Sequence, residues 1–154
     1  MAKASRPDDS PDYLLSPQLS LLGGAEVVGF GTDRFHVREI PRPLADDLIV
    51  ANHYSGKVVK NSRVHLGVIA EGALMGVLQL GYALNAHQVC HVVANTTLTG
   101  YLELNRMWLD DALPRNSESR AFSYAVRYLR RRLPAFRWIQ SFADERCGRL
   151  GVVY

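Results

Sequence analysis

Residues 102–144, LELNRMWLDDALPRNSESRAFSYAVRYLRRRLPAFRWIQSFAD, constrain the fold more than any other stretch, because the apolar residues change period twice within them. Leu102, Leu104 and Trp108 give the first run the character of a strand. Pro114 keeps that run from continuing inside a sheet, since proline has no N–H for the ladder. Phe122, Ala125, Val126, Leu129 and Leu133 then recur at three- and four-residue spacing, which predicts an amphipathic helix closed by Pro134. Ser117 and Ser119 are both good N-cap types, and Glu118 suits the positive end of the helix dipole. Beyond the helix, Trp138, Ile139 and Phe142 predict a buried strand that ends at Asp144 and Glu145.

A strand, a helix and a returning parallel strand form a βαβ unit. Amides at the start of such a helix seat a phosphate or carboxylate, which makes residues 114–119 a first candidate site. Serine and asparagine are also what any helix start prefers, so composition alone does not separate the two readings. Charge adds a second clue. From Pro114 onward nine arginines stand against Glu118, Asp144 and Glu145, a net of +6, while the rest of the chain carries −3. An arginine-only patch opposite an apolar stripe suits phosphate contacts, because the planar guanidinium bonds bidentately. The plainer alternative is that Arg130, Arg131 and Arg132 complement the helix C-terminus and solvate a surface.

The remaining sequence completes one domain. At 154 residues and 47% hydrophobic content the chain can bury a real core. Residues 1–20 read as a disordered tail, since Pro7, Pro11 and Pro17 alternate with Asp8, Asp9 and Asp12. Residues 21–31 are glycine-rich and ambiguous. Residues 35–40 alternate as a strand, Pro41 and Pro43 stop it, and Leu44, Leu48, Ile49 and Tyr54 are candidates for one face of a short helix ending near Gly56. Residues 64–84 hold two β-type runs joined around Glu71 and Gly72, an antiparallel hairpin. Residues 87–93 fit a strand or a loop equally. The order strand, helix, hairpin, strand, helix, strand indicates an α/β, more strictly α+β, fold: a mixed central sheet flanked by helices over residues 21–154. The final apolar run, Gly151 to Tyr154, reads as the opening of a further strand, so the sheet is expected to be incomplete at its C-terminal side.

Several function classes are excluded. Cys90 and Cys147 form no CxxC pattern, which fits a reducing cytoplasm and neither a zinc ribbon nor a disulfide framework. No apolar run approaches the roughly 20 residues that span a bilayer, so no membrane is expected. P-loop, GxGxxG, GxSxG, HExxH and deaminase zinc signatures are absent. What remains is a set of polar residues at element ends: Asn52, His53 and Tyr54 after the first helix, Asn105 and Arg106 on the strand before the loop, Asp144 after the later strand, and Tyr154 beyond it. Asp144 is well placed for a ligand at the carboxyl end of a strand, and the imidazole of His53 could serve as a base or a metal ligand. Taken singly, each also reads as a capping residue, a loop acid or a half-buried tyrosine.

Three blocks carry a family resemblance: NHYSGKVVKNS at 52–62, ELNRMWLDDALPRNSESR at 103–120 and SFADERCGRLGVVY at the end. Over residues 35–154 the chain resembles the Mom family of phage DNA-modification proteins, which is similar in fold to the GNAT acyltransferases. The resemblance implies modification of adenine at its exocyclic amine with a carbamoylmethyl-type substituent, shielding phage DNA from host restriction. It places catalytic roles on His53, Tyr54, Arg106, Asp144 and Tyr154. The PRNSES loop takes the pyrophosphate-binding place of the GNAT scheme, giving Arg115, Asn116, Ser117 and Ser119 the grip on a small-molecule donor, acyl-CoA-type or other. That loop lacks the glycines of the usual GNAT pattern, which departs from acetyl-CoA binding. The resemblance also makes iron worth testing, held by His53, Tyr54 and Asp144, because mixed imidazole and oxygen ligands suit that metal.

An adenine amine is a poor nucleophile, its lone pair being delocalised into the ring, and inside a duplex it must be flipped out and held against aromatic surface. Tyr54, Trp108, Phe142 and Tyr154 are candidates for that surface, and His53 or Asp144 for the proton acceptor. Double-stranded DNA is then the partner, gripped by Arg120, Arg127, Arg130 and Arg131, and a homodimer is compatible with this reading. Two other classes compete with it: a GNAT acyltransferase on a small amine or a protein, and a non-enzymatic DNA-binding factor.

Overall fold

The computed structural model describes residues 13–19 and 25–142, and its frame is one seven-stranded sheet. In chain order it comprises β1 (Tyr13–Leu19), β2 (Ala25–Gly31), β3 (Phe35–Glu39), α1 (Arg42–Asn52), β4 (Ser62–Ala70), β5 (Ala73–Gly81), α2 (Ala86–Val89), β6 (Tyr101–Leu109), α3 (Ser117–Arg132) and β7 (Trp138–Gln140). Strands neighbour one another in chain order. All pairs are antiparallel except β6 and β7, which α3 connects in parallel. The mixed sheet and its βαβ unit match the sequence expectation.

Two helices cover opposite faces. β5 reads ALMGVLQLG, and a strand buried on both faces needs such a near-continuous apolar run. Leu78 and Leu80 point to the α3 side, into a core with Ala121, Ala125, Tyr128 and Leu129. Val77 points the other way and packs with Ala45 and Ile49 of α1, with Trp108 at the rim. Of the stripe read in the sequence, Ala125 and Leu129 are buried and Phe122, Val126 and Leu133 pack partly buried against the same core, while Ala121 and Tyr128 join it unannounced. The hairpin between β4 and β5 turns at Glu71 and Gly72, with φ of 48° and 81°. Two successive positive φ values match the right-handed twist of the flanking strands, and glycine at the second position takes one without strain.

Four expectations need correction. The tail expected over residues 1–20 yields Tyr13–Leu19 to an edge strand, paired irregularly with β2; an edge tolerates Pro17, whose missing N–H breaks no inner ladder. Residues 86–89 of the undecided segment form a helical turn that Asn85 caps, its Oδ1 accepting from the Gln88 amide at 3.4 Å. Neither Ser117 nor Ser119 caps α3. Asn116 does, in the left-handed region at φ 69°, with no side-chain cap bond, while Ser117 is the first helical residue and donates from Oγ to the Pro114 carbonyl at 2.6 Å. β7 stops at Gln140 instead of reaching Phe142, which is 64% exposed.

Candidate functional site

α1 delivers His53 as its C-cap residue, with the His53 amide donating to the Ile49 carbonyl at 3.0 Å. The chain then turns tightly: Gly56 takes φ 57° and its amide reaches back to the His53 carbonyl at 2.8 Å. Inside this turn the His53 Nδ1 accepts from the Ser55 amide at 3.1 Å and lies 2.8 Å from the Ser55 hydroxyl. A backbone N–H can only donate, so the neutral imidazole carries its proton on Nε2. The Tyr54 ring lies tilted over the imidazole, 4.2 Å between centroids, and is itself 55% exposed.

Arg106 ties this turn to the sheet. Its Nε donates to the Lys57 carbonyl at 3.1 Å and its Nη1 to the Asn105 carbonyl at 2.7 Å. Three of the residues singled out in the sequence, His53, Tyr54 and Arg106, therefore belong to one structure on the α1 face. Arg106 can point that way because β6 carries a bulge: Gln79 pairs with Arg106 and Leu80 with Leu104, leaving Asn105 as the extra residue. The bulge sets Asn105 and Arg106 on one face. Sequence reading missed Ser55, although a serine two residues after a histidine at a helix end is the spacing of a side-chain turn.

The same face carries a buried polar layer. Gln79, fully buried, donates from Nε2 to Asp46 of α1 at 2.7 Å and approaches His65 Nδ1 at 3.3 Å. Burial pushes the His65 imidazole below its ordinary value, more than the Asp46 carboxylate lifts it. Asn105 Nδ2 donates to Ser62 Oγ at 2.9 Å and to Asn61 Oδ1 at 3.4 Å. Gly81 is required here, since a Cβ on it would stand 2.3 Å from the Asn61 carbonyl oxygen and 2.7 Å from Asn105 Nδ2. Tyr101 donates to Glu103 at 3.3 Å; burial and that carboxylate push its phenol up to about 12, so it remains a donor.

The loop before α3 makes a separate cleft of about 300 Å³. Arg115, Asn116, Ser117 and Ser119 line it, as do Asp110, Asp111 and Glu118. No side chain caps the first amides of α3, which favours an anion, but three carboxylates outnumber one arginine. On the outer face of α3, Arg120, Arg127, Arg130 and Arg131 are exposed. The Arg120 guanidinium sits 4.5 Å over the Phe35 ring and Arg127 5.6 Å over Tyr124. Stacking uses the face of a guanidinium and not its N–H edge. Arg132 is engaged differently, with Glu26 and with Glu39 at 3.6 Å. This stripe and the His53 turn lie on opposite sides of the sheet, since α3 packs on the Leu78 face and α1 on the Val77 face.

Asp144 and Tyr154 lie outside the described residues. Of the iron set only His53 and Tyr54 are therefore described. Among the described residues no three His, Cys, Asp or Glu side chains gather as metal ligands. With Nδ1 accepting the Ser55 amide, His53 offers a metal an N–H at Nε2 instead of a lone pair, and this conformation does not suit a ligand. No described helix is long and apolar enough to cross a membrane. Trp108 packs at the rim of the α1 seam and so is committed to the core instead of a stacking surface.

Fold and site together define an α+β protein whose polar chemistry is gathered on the α1 face of a mixed sheet, at a helix-ending turn pinned by an arginine. The model of the Mom protein family matches residues 34–154, and the chain belongs to that family. It is 54% identical over 129 residues to "Methylcarbamoylase mom" of Escherichia phage Mu, an alignment covering 84% of this chain and 54% of that protein. The chain thus spans about half the length of the curated relative it matches.

Proposed function

We propose that the chain serves a phage DNA-modification enzyme that attaches a carbamoylmethyl-type group to the exocyclic amine of adenine, protecting the DNA from restriction. The observation that carries this reading is the pinned turn at residues 53–57, which presents a histidine of fixed tautomer under an exposed tyrosine, in a chain 54% identical to a named methylcarbamoylase. Duplex DNA is the substrate, and the target base is flipped against Tyr54, with Phe142 a further exposed ring. His53 in its Nε2–H form acts as a hydrogen-bond donor toward charge that develops on the donor molecule or the base. As the amine nitrogen bonds to the transferred carbon, the bond between that carbon and the rest of the donor breaks, the donor fragment leaves with the electron pair, and the proton lost by the amine falls to Asp144. Arg106 positions the turn.

The donor is a small molecule gripped by the 114–119 loop. An acyl-CoA would bring its diphosphate among Asp110, Asp111 and Glu118, which favours a donor of lower negative charge and weighs against acetyl transfer. Iron is kept as a question for elemental analysis of purified protein, and no step here is routed through it. Mass spectrometry of nucleosides from the DNA of cells expressing the gene tests the reading: a carbamoylmethyl-type mass increment on deoxyadenosine is expected. An unmodified adenine pool, with the protein present and folded, overturns it.

DNA contact by α3 has its own test. Arg120 and Arg127 are seven residues apart, so their Cα atoms are separated by roughly 10 Å along the helix. Replacing both by alanine is expected to weaken DNA binding and to reduce the slope of log affinity against log salt by about 2. An unchanged slope returns the stripe to a solvated surface.

A further inference from the structure

β3 is shorter than the strand it pairs with. Its register with β4 ends at Glu39 opposite Leu66, and the Ile40 amide adds one more bond, to the His65 carbonyl at 3.1 Å. Pro41 then caps α1 and carries the chain off the sheet, while β4 begins at Ser62. Among the described residues, 62–64 therefore have no strand beside them on the β3 side. The last turn of α3 borders this gap, and a cavity of about 440 Å³ remains between them, a size that suits a small molecule. It shares no lining residue with the His53 turn or with the 114–119 cleft, and β7 lies three strands away from β4.

The charges lining the cavity are unevenly matched. Glu39 accepts from the Tyr128 hydroxyl and pairs with Arg132 Nε at 3.6 Å, both through Oε1. Arg132 also pairs with Glu26, so two carboxylates share one guanidinium and a negative charge is left in excess. Burial pushes the Glu39 carboxyl above its ordinary value, Arg132 draws it back, and Glu26 adds to the rise. Arg63, on the same wall as Val64 and His65, is exposed and makes no hydrogen bond or ion pair with a described residue. The cavity thus holds one surplus anion and one unengaged cation. His65 turns Nδ1 to Gln79 Nε2, an amide nitrogen that also donates to Asp46, so its neutral ring carries the proton on Nε2. Ile40, Val64 and Leu133 supply an aliphatic lining.

We infer that this cavity binds a small aliphatic zwitterion of the amino-acid type, its carboxylate on Arg63 and its ammonium at Glu39. A planar guanidinium takes a carboxylate bidentately, and the His65 Nε2–H is a further donor for it. An ammonium brings three N–H bonds and the positive charge that Glu39 and Glu26 together lack. An aliphatic body leaves water for the surface of Ile40, Val64 and Leu133. A simple anion would satisfy Arg63 and leave Glu39 with its excess, and a simple cation would do the reverse. Only a dipolar ligand matches both ends. The inference stands apart from the function proposed above, because none of that function's residues lines this cavity.

The test is a titration of 15N-labelled protein with L-valine, isovalerate, L-valinamide and inorganic phosphate, followed at the backbone amides of Arg63, Val64 and His65. Saturable shifts with valine are expected. Isovalerate lacks the ammonium and valinamide the carboxylate, so each should bind about tenfold more weakly or worse. Arg63→Gln should weaken valine by about tenfold and leave valinamide unchanged, whereas Glu39→Gln should weaken valine and leave isovalerate unchanged. Arg63 is exposed and belongs to neither core, so its variant keeps the idea testable should Glu39→Gln not fold. Silence toward valine in folded wild-type protein overturns the site. So does binding of isovalerate, valinamide or phosphate as tight as that of valine, which would mark a plain ion site, and so does valine affinity that Arg63→Gln leaves unchanged.

Discussion

His53→Ala is expected to lower adenine modification by about 10²–10³-fold, the range seen when a preorganised hydrogen-bond donor is removed from a reacting centre. The size follows from how much structure is spent on one ring. The Ser55 amide and hydroxyl hold Nδ1, the Gly56 turn closes behind it, and Arg106 fixes Lys57 to β6. A donor held in this way is already aimed when charge develops, and alanine removes it outright. Stability should change little, because the described bonds of the ring are local to the turn and the residue is only half-buried. The measurement is the modified fraction of deoxyadenosine set beside the melting temperature of the purified variant. Modification at the wild-type level places the chemistry elsewhere, and a fall of many degrees in melting temperature marks His53 as structural. Ser55→Ala separates the two ideas further. It deletes the hydroxyl but keeps the backbone N–H at Nδ1, so the tautomer persists and the loss should be smaller.

The elements that the sequence made legible are those whose side chains alternate or recur with one period. α3 was readable because Phe122, Ala125, Val126, Leu129 and Leu133 all meet one core, and the β4–β5 hairpin because Glu71 and Gly72 interrupt two β-type runs. β1 was hidden because its local composition, with Pro17 and nearby aspartates, outweighed a short apolar run that among the described residues pairs with β2 alone. Strand pairing is a property of the partner as well as of the segment. The cap of α3 was misplaced for a related reason. Ser117 and Ser119 have the better cap chemistry, but Asn116 tolerates the left-handed backbone that the Pro114 turn imposes. At the site, residue types pointed to His53, Tyr54 and Arg106, and the structure joins them through Lys57. What no spacing rule foretells is the β6 bulge at Asn105, which puts two consecutive residues on one face, or the division of the arginine stripe and the histidine between the two sides of the sheet.

That division leads to the second large effect. Leu129 is fully buried between α3 and the sheet, in the core it shares with Leu66, Leu78 and Leu80. Leu129→Ala removes three carbons from a site whose walls are strands on one side and the helix backbone on the other, so the void cannot close freely. A cost of about 2–5 kcal/mol is expected. For a domain of this size each kcal/mol moves the melting temperature by roughly 2–4 °C, so the midpoint should drop by roughly 4–20 °C. Leu133, only partly buried at the end of the same stripe, should lose clearly less on the same change. Because α3 and the His53 turn pack on opposite faces of the sheet, the folded fraction of Leu129→Ala should keep its modification activity per molecule, and its melting shift should add to that of His53→Ala within about 0.5 kcal/mol. Activity that falls below the folded fraction at a temperature where the variant is intact would mean that the two faces are coupled through β5 and β6, whose alternate residues serve both.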